Sequence, residues 1–213
     1  MRDAPNLGFR STWLEQYEQS LETENITAKR KKGIKYYLDM EEGDQLEFKG
    51  SLVLDIDRFL RGDGKLDEKP EIACKGVLKT IVAFLNSKGG DLIIGILEKD
   101  KYEEMLSSKL SEYSIYKKYV IFGLSNEYRK DGWDGYFQRI LTHIENRIGA
   151  EIYDSELVRI EKIVYENEEL CHVSVKLADS RQYLDEKFYI RRGNTSIELK
   201  GKEIDNYWAK RNK

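Results

Sequence analysis

The chain has 213 residues, of which 40% are hydrophobic, enough to form one sizeable core or two small ones. Its 36 lysines and arginines nearly balance its 39 aspartates and glutamates, which excludes a uniformly basic nucleic-acid-binding surface, so that any bound polyanion must contact a local patch. No apolar stretch approaches the roughly 18 residues of a membrane span and the first residues do not begin a signal peptide, so we expect a soluble, cytoplasmic protein with no membrane partner.

The first predicted element is an amphipathic helix near the N-terminus. Trp13, Leu14, Tyr17 and Leu21 recur there at helical spacing behind Ser11. The apolar face of this extra helix is a candidate surface for a partner subunit or for a second copy of the chain.

A basic segment beside two tyrosines follows this helix. Its four consecutive cations are Lys29, Arg30, Lys31 and Lys32. Clustered cations can grip a phosphate backbone while tyrosine rings stack on bases, so the segment is a candidate nucleic-acid contact. A solvated helix face is the alternative interpretation. We assign residues 1–37 to a helical, basic extension and residues 38–213 to one domain.

The next element is a strand over residues 45–54, in which Leu46, Phe48 and Leu52 lie on one face and Glu47 and Lys49 share the other. Glu42 comes five residues before Glu47, so on one continuous strand the two carboxylates would point in opposite directions. They converge only if Glu42 lies before or within the Gly43-Asp44 turn. The alternative is that Glu47 and Lys49 are an exposed pair on the strand, beside a solvated acidic turn.

The most regular part of the sequence predicts a helix over residues 72–85 and a strand over residues 91–97. The strand is an unbroken apolar run, which indicates cover on both faces, so a strand, a helix and a strand form the central unit. Residues 86–90, which include Lys88, separate the helix from the strand. We interpret them as a helix C-cap that allows close packing. The alternative is a phosphate cradle, although the GxxxxGK[ST] motif is absent.

The remaining elements are less regular. We predict mixed helix and loop over residues 101–132 and a helix over residues 137–148. Two strands are predicted over residues 157–164 and 170–177. A strand with a basic turn over residues 187–196 and a final helix from residue 202 complete the chain. Cys74 and Cys171 have no partners at zinc-ligand spacing, so zinc is not expected. Cys171 is predicted to be a core residue and the adjacent His172 a surface residue.

Three separated segments together resemble the Schlafen-type AlbA-like domain family. They are the Glu42 to Lys49 motif, in which four residues separate Glu42 from Glu47-Phe48-Lys49, the helix, turn and strand over residues 81–96, and the closing strand and turn over residues 188–195. The resemblance covers most of residues 38–200. It implies an α/β (α+β) fold, with helices packed on a mixed sheet, in a family whose members bind nucleic acid.

The Schlafen branch of this family includes metal-dependent endonucleases that cut structured RNA such as tRNA. The resemblance implies that Glu42, Glu47 and Lys49 belong to the active site, together with an aspartate after the glycine-rich strand. This chain departs from that pattern, because Leu97 and Glu98 follow its apolar strand. Glu98 provides the same charge on one extra methylene. If Leu97 occupies the position instead, a metal loses one ligand and the domain binds without cutting.

The resemblance therefore predicts a Mg2+ or Mn2+ ion held by Glu42, Glu47 and Glu98, with Lys49 beside the phosphate. Further candidates for nucleic-acid contact are Lys88, Arg191, Arg192 and Asn194. A turn with two guanidinium groups can bind a phosphate backbone in a bidentate manner, and the alternative is an ordinary charged hairpin.

The leading functional hypothesis is a metal-dependent endoribonuclease that cleaves tRNA or another structured RNA, in a bacterial or phage-defence setting. A non-catalytic module that binds RNA or DNA, as a transcription regulator does, is the main alternative. Relatives are often labelled ATP-binding, but the residues give that label little physical support. A third hypothesis is a subunit of a larger defence assembly.

Overall fold

The structure is a computed structural model that describes residues 33–62, 74–106, 110–128 and 130–211. The chain divides into two compact units, Met1–Met40 and Glu41–Lys213. In the first unit the described residues form a short helix, α1, over residues 33–38. The predicted N-terminal helix and the basic residues 29–32 lie outside the described residues.

The second unit contains a four-stranded mixed sheet with the strand order β1-β2-β7-β6. Its strands are β1 (Leu46–Lys49), β2 (Gly90–Ile94), β6 (Val158–Tyr165) and β7 (Glu168–Val175). β1 and β2 are parallel, and the β2–β7 and β6–β7 pairs are antiparallel. Helix α2 (Ile56–Leu60) and helix α3 (Lys75–Leu85) lie between β1 and β2 in the chain. The predicted central unit of strand, helix and strand is therefore confirmed, as is the α+β fold class.

Two smaller sheets complete the described strands. β3 (Ile96–Glu98), β5 (Tyr119–Ile121) and β4 (Ser114–Tyr116) form an antiparallel sheet in that order. β8 (Phe188–Arg192) and β9 (Thr195–Leu199) form a hairpin.

The apolar run that the sequence predicts as one strand is divided at Gly95 into β2 and β3, which belong to different sheets. Gly95 has a φ of 105°, and an added Cβ would lie 2.6 Å from Leu170 Cδ2. Glycine is needed here because other residues rarely adopt this backbone conformation and because the neighbouring side chain leaves no room. The prediction of a single strand over residues 91–97 is therefore wrong at this one position.

Four further helices pack around these sheets or follow them. They are α4 (Lys99–Leu106), α5 (Gly132–Arg147), α6 (Glu151–Asp154) and α7 (Lys202–Arg211). Short 3-10 turns occur at Leu110–Glu112 and Ser125–Glu127. Within the described ranges, none of the helices is both long enough and apolar enough to cross a membrane.

The main core lies between α3, α5 and the four-stranded sheet. Ile81 and Phe84 of α3, Ile140 and Ile144 of α5 and Val173 of β7 are all fully buried in it. Burying one such side chain contributes roughly 1.5–3 kcal/mol, so this cluster is a major source of stability. The helical spacing that predicts α3 from the sequence is the spacing at which its residues enter this core.

The turn after α3 holds the helix end against distant segments. The buried Asn86 side chain donates from Nδ2 to the carbonyl oxygens of Gln182 (2.8 Å) and Tyr189 (2.9 Å), and its Oδ1 accepts from the Gln182 N–H (2.9 Å). The N–H groups of Ser87 and Gly89 both donate to Phe84 O, at 3.0 Å each. These two N–H groups are already used, so the turn is a helix C-cap, as predicted, and neither group can donate to a phosphate.

Strand β7 contains the predicted pair of a core cysteine and a surface histidine. Cys171 is fully buried, as predicted. His172, however, is only 12% exposed at its side chain, and its Nε2 lies 2.8 Å from Asp91 Oδ1 of β2. The expectation of a surface histidine is wrong because the His172 side chain lies against Asp91 of the neighbouring strand and is mostly covered.

Candidate nucleic-acid site

Glu42 lies just before the turn that leads into β1, and its carboxylate folds back onto that strand. The Phe48 N–H donates to Glu42 Oε1 at 2.6 Å. The turn is closed by the Gly43 N–H, which donates to Leu46 O at 3.0 Å. Glu42 and Glu47 can converge only if Glu42 lies before or within the Gly43-Asp44 turn, and the structure places Glu42 just before that turn.

Glu47 is the centre of a charged cluster that is mostly buried. Its Oε1 accepts from Lys49 Nζ and its Oε2 accepts from Arg191 Nη2. The exposed fraction is 8% for the Glu47 side chain and 35% for that of Lys49. Glu47 and Lys49 therefore share one face, as predicted, but the alternative in which they form an exposed pair is wrong. The reason is that β8 places Arg191 over this face, 144 residues along the chain.

Arg191 is a buried connector between β8 and the start of β1. Its side chain is only 1% exposed. Beyond Glu47, it donates to Gly43 O at 2.9 Å and to Leu46 O at 3.3 Å, and its guanidinium lies 5.3 Å from the centre of the Phe84 ring. A guanidinium with these partners is not presented to a ligand. Arg191 therefore supports the site from within, which differs from the phosphate contact expected from the sequence.

The pKa of Glu42 is raised above its ordinary value of 4.5, chiefly because burial disfavours the charged form. The hydrogen bond from the Phe48 N–H opposes this shift. The nearby negative charges of Glu47 and Glu98 raise the pKa further, and the positive charge of Lys49 lowers it. Glu47 and Glu98 are thus close enough to act on Glu42, which holds a proton more readily than a solvated glutamate.

The structure separates the roles of Leu97 and Glu98. Leu97 is 3% exposed and packs in a second apolar cluster with Leu60, Leu106 and Phe122. Glu98, at the end of β3, is exposed to solvent. Of the two positions that follow the apolar strand, Glu98 is therefore the one whose carboxylate is accessible, and its charge acts on Glu42.

The carboxylates of Glu42, Glu47 and Glu98 are of the donor type that Mg2+ and Mn2+ prefer. Among the residues that the structure describes, however, no three His, Cys, Asp or Glu side chains are grouped closely enough to hold a metal ion. Both oxygens of Glu47 are already paired with cations. In the arrangement present, these residues do not fit a bound divalent ion.

The basic turn between β8 and β9 is fastened to the turn before β1. Asp44 Oδ1 accepts from the Gly193 N–H at 2.6 Å, and Asp44 Oδ2 accepts from Lys88 Nζ at 3.0 Å. The side chains of Arg192 and Asn194 are exposed beside this contact. The structure therefore brings Lys88, Arg192 and Asn194 together, although Lys88 is more than 100 residues from the other two in sequence.

Glu127 is a buried acidic residue that the sequence analysis did not identify. Its carboxylate accepts the N–H groups of Leu52 (3.0 Å to Oε2) and Val53 (2.9 Å to Oε2), in the loop that follows β1. Burial raises the pKa of Glu127 to about 7, in opposition to these two hydrogen bonds. No local pattern could have revealed it, because its partners lie 74 and 75 residues away.

The mixed sheet with its packed helices, the carboxylates around β1 and the neighbouring basic turn together define an α+β domain with a charged surface beside β1. The sequence matches the Schlafen, AlbA_2 family over residues 42–200, and the chain belongs to this family. Membership indicates a nucleic-acid-related function.

Among solved structures, the chain is similar to the DIP2311 protein from Corynebacterium diphtheriae, known from a crystal structure. The two are 16% identical with a TM-score of 0.47, and the alignment covers 79% of this chain but only 24% of that protein. A comparison with curated proteins gave no match.

Proposed function

We propose that this chain binds nucleic acid through a surface that we call the basic edge, defined by Lys49, Lys88, Arg192 and Asn194. The observation that carries the proposal is that three segments far apart in sequence meet here. The contacts of Asp44 with Lys88 and Gly193 join two of them to the turn before β1. A local patch of this kind is what a chain with a formal net charge of -3 needs in order to bind a polyanion.

The charged groups of the basic edge are accessible to a ligand. Lys88 is 67% exposed and Lys49 is 35% exposed at their side chains. Arg192 and Asn194 are exposed on a turn whose direction is held by the buried Arg191. Lysine, arginine and asparagine side chains are common partners of phosphate oxygens, and such contacts position a nucleic acid without reading its sequence.

Binding of fluorescent RNA and DNA oligonucleotides, measured by anisotropy at several salt concentrations, tests this proposal. Arg192→Ala should weaken binding and reduce the slope of log K against log salt by about 0.7 for single strands or about 0.9 for a duplex. Arg159→Ala is a matched control, because Arg159 is exposed on β6, at the opposite end of the strand order from β1. Equal effects of the two substitutions would exclude the basic edge as the binding surface.

A second candidate function is cleavage of tRNA or another structured RNA, with Mg2+ or Mn2+ as the expected cofactor. It is favoured by the contact between Lys49 and Glu47 and by the effect of the Glu47 and Glu98 charges on Glu42. Each oxygen of Glu47 already accepts from a cation, so a metal at Glu47 would add a further positive charge beside Lys49 and Arg191. Phage defence is the biological setting that the family resemblance favours for this activity.

Incubation of the purified chain with total tRNA, in Mn2+ or in EDTA, tests the second candidate. Glu98→Gln is the informative variant, because Glu98 is exposed and its replacement should leave the fold intact. Cleavage that requires Mn2+ and disappears in Glu98→Gln supports a nuclease. If RNA binds but is not cut in either condition, the chain is a binding module.

A further inference from the structure

One carboxylate, that of Asp44, is held by two donors at the basic edge. Asp44 accepts the Gly193 N–H through Oδ1 (2.6 Å) and the Lys88 ammonium through Oδ2 (3.0 Å). These two donors hold the pKa of Asp44 below its usual range, with Lys88 contributing most. The Asp44 carboxylate is therefore an anion of the protein itself that binds between the β8–β9 turn and the end of α3.

The donors that hold Asp44 are the kind that hold phosphate. A backbone N–H on a glycine turn and a lysine ammonium together form a common oxyanion site. Gly193 has a φ of +58°, and no atom beyond Gly193 and its two chain neighbours lies within 4 Å of the position that a Cβ would occupy, so this side of the turn is open. Arg192 and Asn194 flank the N–H group and are exposed.

The contact between Asp44 and Lys88 is weak enough to exchange. Their side chains are 45% and 67% exposed, and an ion pair with this exposure contributes little to stability because water and salt screen it. A phosphate carries more oxygens than a carboxylate and could use the same two donors, so it competes with Asp44 for them.

We propose that Lys88 and the Gly193 N–H form a phosphate subsite for the nucleic-acid backbone, which Asp44 occupies until a phosphate displaces it. The inference rests on the proposed nucleic-acid binding and adds a residue that opposes it. Asp44 lowers affinity by repelling the approaching phosphate and by holding Lys88. A single weak phosphate contact therefore does not displace Asp44 from its two donors, whereas a polyanion that binds through several phosphates does.

Asp44→Asn tests the inference, because it removes the charge and keeps the size of the side chain. RNA affinity should rise about fivefold, the effect of one unit charge about 4 Å away in water. The slope of log K against log salt should steepen by about 0.7 for a single strand, since one more phosphate contact forms. Asp205→Asn is the control, because Asp205 is an aspartate on α7 that is 68% exposed and pairs with Arg181. An equal gain in both variants, or weaker binding by Asp44→Asn, overturns the proposal.

A titration with inorganic phosphate separates this inference from the proposed function. In Asp44→Asn, the amide resonance of Gly193 should shift in a saturable manner, and Lys88→Ala in the same background should abolish the shift. No saturable shift in Asp44→Asn overturns the subsite. A shift with phosphate but no RNA binding by any variant overturns the nucleic-acid assignment and leaves a site for free phosphate.

Discussion

Glu47→Ala removes the carboxylate that pairs with the buried Arg191 guanidinium. The Arg191 side chain is 1% exposed and that of Glu47 is 8% exposed, so water cannot take the place of the lost partner. Removing one member of a buried ion pair usually costs 3–5 kcal/mol. Because Arg191 keeps its bonds to Gly43 O and Leu46 O, we expect a loss near the lower limit, about 3 kcal/mol.

Urea denaturation followed by circular dichroism measures this loss, and a double-substitution cycle with Arg191→Ala assigns it to the pair. The double variant should be more stable than the sum of the two single effects predicts, by about 2 kcal/mol. The matched control is Glu161→Ala, which breaks the exposed Arg159–Glu161 pair and should cost at most about 1 kcal/mol. Additive effects, or a Glu47→Ala cost no larger than that of the control, would refute the role of Glu47 as a buried partner of Arg191.

Three further predictions concern the stability of the fold. Burial raises the pKa of Glu127 from 4.5 to about 7, so the folded state holds this proton more tightly than the unfolded chain does. The free energy of unfolding should therefore fall by at most about 3 kcal/mol as the pH rises from 4.5 to about 7. Glu127→Gln should flatten this fall in urea titrations at several pH values. Gly89→Ala should lower the melting temperature by the equivalent of about 2 kcal/mol, because Gly89 has a φ of +67° and a Cβ would lie 2.5 Å from Val175 O. Gly76→Ala, in the open first turn of α3, should instead raise it slightly, and the opposite order of the two melting temperatures would contradict this reasoning. Asn86→Ala deletes three buried hydrogen bonds and should cost about 3 kcal/mol in chemical denaturation, whereas a cost below about 1 kcal/mol would show that water replaces them.

The regular elements of this fold could be predicted from local pattern. Helix α3 and strand β2 were found from apolar spacing, because the residues that recur in the sequence are those that enter the core. The division of the apolar run at Gly95 could not be predicted in this way. An apolar run shows that both halves are buried, but not that β2 pairs with β1 and β7 while β3 pairs with β5.

The sequence predicted some residues of the candidate site but not their burial. The family resemblance selected Glu42, Glu47 and Lys49, and the contact between the last two follows from the alternation of a strand. The sequence could not show that Glu47 is buried, since this depends on Arg191 reaching it from β8. The buried Glu127 was missed for the same reason, because its partners are in the loop after β1.

The sequence by itself determined the family, the main helices and strands, and which charged residues lie near one another along the chain. These features follow from the periodicity of apolar residues and from short motifs, both of which act over a few residues. The tertiary structure alone decided which charges are buried, which are paired and which remain accessible. Arg191 is a buried support and Arg192 is exposed, although they are adjacent, because burial and ion pairing depend on segments that meet only when the chain has folded.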